Sequence, residues 1–149
     1  MTSLFLPFSL SVTTESLLLQ RTSPKIGEIA QHFTPYSNEK VNTTSEKYRA
    51  QIINLIRDTI RTAEPTAQII LYGSRARGDA REDSDWDVLA IINKPRLSLK
   101  DRSNIQYPVW EKGLAMGQEI NVFPYTRRQW ETAPPSLFEY NVMNEGIAL

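Results

Sequence analysis

Two apolar runs, at 68–72 and 88–92, flank a polar stretch that opens on glycine and ends in paired acids. It reads Gly73-Ser74-Arg75-Ala76-Arg77-Gly78-Asp79-Ala80-Arg81-Glu82-Asp83-Ser84-Asp85-Trp86-Asp87. Short apolar runs bounded by glycine and polar clusters read as strands. The first strand must then turn at Gly73, and the second must begin at the acidic pair. Side chains two apart on a strand share a face, so Asp85 and Asp87 project together and Trp86 projects the other way.

Each part alone is commonplace. Asp-x-Asp is usually a solvated turn, Gly-Ser after a strand a plain turn, and Arg-x-Arg an exposed basic face. The conjunction is rarer and has a chemical reading. Adjacent carboxylates repel one another without a cation, and hard oxygen ligands suit Mg²⁺, or Mn²⁺ in its place. Gly73 lets the backbone turn sharply or approach a ligand closely. Ser74 offers a hydroxyl and an N–H, and a helical turn begun there presents free N–H groups to a phosphate. Arg75, Arg77 and Arg81 add donors for phosphate oxygens. At least one of the three is expected to be structural, pairing with Asp79, Glu82 or Asp83. A phosphate-holding turn close to a metal-holding pair points to chemistry on a nucleoside triphosphate.

The run from Gly73 to Ala80, followed by Ser84-Asp85-Trp86-Asp87, resembles the signature of the minimal nucleotidyltransferases of the DNA polymerase beta superfamily. The resemblance extends from about residue 45 to residue 149. It implies an α+β fold with a small mixed sheet and helices packed against it. It also implies ATP or another NTP as substrate and Mg²⁺ as cofactor, with transfer of a nucleoside monophosphate to an acceptor hydroxyl. Carried over by position, Gly73, Ser74, Arg75, Arg77 and Ser84 would bind nucleotide, and Asp85 and Asp87 the metal.

The same resemblance calls for a third acid on a neighbouring strand, as metal ligand and as base. The strand available is 118–123, which carries Glu119 and Asn121 on one face. The usual acidic position falls nearer Asn121. An amide can ligand a hard metal but cannot act as a general base at neutral pH. Glu119 is the candidate, as catalytic residue and metal ligand, because its longer side chain could reach the same place. Should it not reach, a slow or inactive transferase is expected.

The 149 residues suit one domain with an appended segment: a weakly ordered extension over 1–44, rich in Ser, Thr, Pro and Asn, and a catalytic domain over 45–149. Seventeen basic and 17 acidic residues cancel, so no global field draws the chain to nucleic acid. Without cysteine there is no disulfide and no thiol nucleophile. The single histidine, His32, lies far from the motif in sequence. No run approaches the roughly 20 apolar residues of a membrane span. The apolar opening lacks Lys or Arg before Arg21, unlike a signal peptide. With an ATP-dependent reaction, that places the expected site of action in the cytoplasm.

Elsewhere, Thr43 and Glu46 form a capping-box pattern ahead of a helix over 45–63, with Tyr48, Ile52, Leu55, Ile56 and Ile60 as its stripe. Strands are expected over 68–72, 86–92 and 118–123, the last ended or placed at a sheet edge by Pro124. A helix is expected from 98 or 99 to 116, with Ile105, Val109, Trp110 and Leu114 facing inward. Short helices are expected over 127–131, capped by Thr126, and over 137–144, with Gly146 as C-cap. Weaker patterns suggest helices over 17–20 and 26–33. Trp110, Trp130 and Tyr140 are read as core rather than as a base-stacking platform.

A catalytic sheet with little else leaves the acceptor either small or delivered by another protein. The resemblance favours the second: AMP transfer to a hydroxyl of a HEPN-type partner, with this chain as the antitoxin of the pair. Two other classes stay open. One is a small-molecule transferase of the aminoglycoside-modifying kind; the other is a module that binds nucleotide or partner with weak or no catalysis.

Overall fold

The computed structural model describes residues 31–37 and 43–149. The expected helix over 17–20, and residues 26–30 of the helix expected over 26–33, lie outside them; residues 31 and 32 are helical. In chain order the elements are β1 (Thr34–Pro35), α1 (Thr44–Ala63), β2 (Gln68–Tyr72), α2 (Ser74–Arg77), β3 (Trp86–Ile92), α3 (Leu99–Ala115), β4 (Ile120–Thr126), α4 (Arg127–Glu131), α5 (Leu137–Glu145) and β5 (Ile147–Ala148). The strands form one mixed sheet in the order β1-β5-β2-β3-β4. β2 and β3 are antiparallel, and β3 and β4 are parallel.

Local signals set most boundaries. The capping box closes at α1, where Glu46 N donates to Thr43 Oγ1 (3.1 Å) and Thr43 N to the Glu46 carboxylate (2.8 Å). α3 and α4 start on boxes of the same kind, Ser98 with Asp101 and Thr126 with Gln129. Satisfying these orphan donors fixes where each helix starts.

β3 is buried on both faces, as a central strand must be. Trp86, Val88, Ala90 and Ile92 pack with Ile52, Ile53, Ile56 and Ile60 of α1 and with Ile105 and Val109 of α3. Leu89 and Ile91 pack on the opposite face with Ile70, Tyr72, Trp130 and Val142. Asp85 and Asp87 share parity with Leu89 and Ile91. They therefore continue the second face to the strand's open end.

Several expectations need correction. Trp110 and Leu114 are 44% and 49% exposed. The inward stripe of α3 is Ile105, Val109 and Gly113. A Cβ at Gly113 would lie 2.7 Å from Ile120 Cδ1, so the helix comes closest to β4 there and turns its larger side chains outward. Tyr48 and Tyr140 are also exposed, whereas Trp130 is core. Pro124 does not end β4; on an edge strand a missing N–H costs no ladder bond, and pairing runs on to Ile92↔Thr126.

The stretch expected as a weakly ordered extension contributes to the fold within 31–37. Phe33 is 4% exposed, packed against Val142, and β1 pairs with β5. Burying an aromatic ring is worth about 1.5–3 kcal/mol, and the β1–β5 pairing adds to what holds this segment to the domain. His32 Nε2 lies 2.8 Å from the Met143 carbonyl oxygen, on α5. Among the described residues, no helix is long and apolar enough to cross a membrane.

Candidate nucleotide and metal site

At the end of β2 the backbone turns at Gly73, with φ 75° and ψ −161°. Only glycine reaches this conformation cheaply. Space adds to this: a Cβ at Gly73 would stand a tight 3.1 Å from Asp87 Oδ2, which would have to give by a few tenths of an ångström. The turn enters α2, and Gly78 closes it in the left-handed conformation, its N–H bonded to the Ser74 carbonyl. α2 and the loop that follows thus double back toward the start of β3.

Arg75 fastens that loop from beneath. Its guanidinium donates to the carbonyls of Ser84 (2.8 Å and 3.0 Å) and Glu82 (2.9 Å). It also lies 5.0 Å from the Trp86 ring centroid, a cation–π distance. Arg49 approaches the same ring at 5.7 Å and donates to the Arg75 carbonyl. Trp86 Nε1–H donates to Gln118 Oε1 (2.8 Å). Arg75 holds the loop through its carbonyls, while the expected pairing with an acidic side chain is made by Arg77, with Asp79. Ser84 Oγ accepts from Arg81 N (2.8 Å), which tightens the loop just before the acids.

An open cleft of about 510 Å³ lies above this frame, lined by Ser74, Arg77, Asp79, Arg81, Asp83, Ser84, Asp85 and Asp87. Of the residues expected at the site, it gathers Ser74, Arg77, Ser84, Asp85 and Asp87, with Gly73 directly behind Asp87. Arg77 ion-pairs with Asp79 (3.1 Å) and with Glu145 (2.8 Å), and both raise its pKa, Asp79 more.

The carboxylates differ. Asp85 is exposed. Asp87 is half-buried between Tyr72 and Asn121, its register partners on either side. Tyr72 belongs to an aromatic cluster with Phe123 and Phe138. Burial raises the Asp87 pKa, a hydrogen bond from Asn121 opposes the rise, and the neighbouring Asp85 adds to it. The Tyr72 hydroxyl is pushed up as well, by burial first and then by Asp87. A group that is costly to ionise here is one that a cation would ionise readily.

Asn121 stands beside Asp87 in the β3–β4 register. Its Nδ2 approaches Asp85 Oδ2 at 3.4 Å, a long contact. Glu119 precedes β4 and is exposed, its backbone carbonyl accepting from Trp86 N (2.9 Å); neither Glu119 nor Asn121 lines the cleft, and Asn121 borders a second cavity beside α3. Among the described residues, no three acidic, histidine or cysteine side chains group as a metal site. Two carboxylates with an amide oxygen still fit one Mg²⁺ or Mn²⁺, which completes its shell with water and substrate phosphates.

Glu145 and Tyr72 were missed by the sequence reading. Glu145 is remote in sequence and sits on a short helix with weak periodicity. The Tyr72 position could have been found, because an antiparallel pairing of 68–72 with 87–91 sets it beside Asp87.

The model of the nucleotidyltransferase domain family matches residues 53–140, more than half of the chain, and includes both the Gly73-Ser74 turn and the Asp85-x-Asp87 pair. No curated protein matches the chain. Among solved structures, a toxin–antitoxin complex with AMP-PNP is 20% identical with a TM-score of 0.45, covering 67% of this chain and 70% of its own. A mutant of the toxin–antitoxin MntA-HpeT is 19% identical at the same score and coverage. A Sulfolobus solfataricus structure is 16% identical with a TM-score of 0.42, covering 74% of this chain and 90% of its own. The assignment to a family rests on the matched segment and not on these structures.

Proposed function

This chain belongs to the nucleotidyltransferase domain family, and we propose from that premise that it transfers AMP from ATP to a hydroxyl on a HEPN-type partner protein, as the antitoxin of the pair. The observation that carries the reading is the cleft itself. Asp85 and Asp87 face the same opening as Ser74 and Arg77. The choice of AMP and of a protein acceptor rests on the resemblance of Gly73–Asp87 to the minimal nucleotidyltransferases.

Asp85 and Asp87 would hold Mg²⁺ or Mn²⁺, with Asn121 beside them. The bound cation supplies positive charge against the triphosphate and the developing transition state. Ser74 and the Gly73 N–H orient phosphate oxygens, and Arg77 adds charge-assisted bonds. The acceptor oxygen attacks the α-phosphorus, pyrophosphate leaves, and the hydroxyl proton passes to Asp87 or to water. Arg75 and Ser84 act indirectly, by holding the loop that carries the acids.

A second reading has its own observation. With an amide at 121 and Glu119 outside the cleft lining, no third carboxylate groups with Asp85 and Asp87 among the described residues, which favours a nucleotide-binding module with slow or no transfer. One experiment separates the readings. The protein is incubated with Mg²⁺, α-labelled ATP and the protein encoded beside it, with Asp85→Ala/Asp87→Ala as control. Label on the neighbour with wild type alone supports adenylylation of a partner. ATP binding without label, on the neighbour or on small hydroxyl acceptors, supports the module. No ATP binding contradicts both.

A further inference from the structure

At the edge of the cleft, where Gly73 and Arg77 meet, the chain supplies an anion of its own. Glu145 is the last residue of α5. Its Oε2 accepts from Gly73 N (3.1 Å) and pairs with Arg77 Nη1 (2.8 Å), and its side chain is only 19% exposed. One carboxylate oxygen thus engages both a backbone donor and a guanidinium that the functional reading gives to phosphate. A phosphate oxygen and a carboxylate oxygen ask for the same partners, namely N–H groups and positive charge. The Gly73 N–H can serve one of them at a time.

The backbone behind Glu145 is fixed. Val142 is fully buried. A Cβ at Gly146 would lie 2.5 Å from a Phe33 ring carbon. β5 then pairs with β2 and β1. The side chain is the movable part. It leaves Gly73 by rotating about its own bonds, whereas the helix is held.

We infer that Glu145 fills a phosphate subsite of the nucleotide-free chain and is displaced when a triphosphate binds. The inference rests on the proposed nucleotide site and adds regulation to it. Exchange at Gly73 and Arg77 replaces one anion by another and makes or breaks no covalent bond. Because Glu145 belongs to α5, the packing of α5 sets where the competing carboxylate starts from. Anything that draws α5 away from β2 would free the subsite.

The test is calorimetric binding of Mg·ATP and of inorganic tripolyphosphate to wild type, Glu145→Gln and Glu145→Ala, with melting temperatures recorded for each. Removing a competing charge should tighten both ligands by about fivefold, the scale of one partly exposed ion pair. The melting temperature without ligand should fall only slightly, since Gln can still accept from Gly73. The Gly73 amide resonance should differ between wild type and Glu145→Gln, and in wild type should shift on adding tripolyphosphate. Weaker binding in Glu145→Gln would overturn the inference and make Glu145 a positioning residue for Arg77. Unchanged affinity with clear ATP binding would overturn the inference alone. If none of the three proteins binds either ligand, the nucleotide reading falls, and the inference with it.

Discussion

The two sides of the cleft meet the carboxylates on different terms. On the α2 side, backbone conformation and packing dictate the geometry. Gly73 has a positive φ, a tight approach to Asp87, and a bonded N–H. Arg75 then pins the loop at Glu82 and Ser84. On the β4 side, an edge strand sets only which side chain is offered: Asn121 takes the place beside Asp87, and Glu119 is exposed just ahead of the strand. The contrast shows which part of such a site can change freely. A substitution at Gly73 strains the chain. An acid-to-amide change at a half-buried edge position leaves the sheet intact and alters only the chemistry.

The largest test of this contrast is Asp87→Asn. It should reduce transfer at least about a thousandfold, near 4 kcal/mol at 1.36 kcal/mol per decade. Folding should survive, and stability against pH gives an independent check. Burial raises the pKa of Asp87 in the folded protein. The folded state then holds this proton more firmly than the unfolded chain, so the residue favours folding at acid pH. That contribution disappears as pH rises through the raised pKa. Urea titrations of the metal-free protein should show this slope in wild type and lose it in Asp87→Asn. A collapse of the fold would instead make Asp87 a structural residue.

Gly73→Ala comes next and probes the rigid side. Left-handed strain and the crowding at Asp87 should cost about 1–3 kcal/mol of stability. ATP-induced thermal stabilisation should vanish with it. An Ala variant that folds and binds ATP as wild type does would show that this side is no more constrained than the other.

Asn121→Asp sharpens the comparison from the other side. If the amide limits turnover, restoring an acid should raise the transfer rate by up to about a hundredfold. It should also lower metal-free stability, since three carboxylates would then crowd one site. The smallest effect belongs to Glu119→Gln, which should leave the rate within about twofold, or 0.4 kcal/mol. A large loss at Glu119 with no gain at Asn121 would reverse the assignment of the two.

The strongest local signals were the ones legible in the sequence. β2 and β3 begin and end where expected because glycine and acids bound their apolar runs, and the start of α1 follows from Thr43 and Glu46. The Asp85–Asp87 pair was legible because strand periodicity alone places both on one face. What could not be read depends on tertiary choice. Which side of α3 faces inward turns on the close approach at Gly113. Whether Glu119 or Asn121 meets the acids turns on the parallel register of β3 and β4. The role of Arg75 turns on carbonyls seven and nine residues further along, which no periodicity reports. The arrival of Glu145 depends on α5, placed by Phe33 and β1 from the far end of the chain.

The most direct test of the account is a crystal structure of the wild-type protein with Mn²⁺ and a non-hydrolysable ATP analogue, with manganese located by its anomalous signal. The account predicts manganese bound by Asp85 and Asp87 with Asn121 adjacent, the triphosphate at Gly73 and Ser74, and Glu119 in solvent. Manganese ligated by Glu119, or a triphosphate bound away from Gly73, would contradict it.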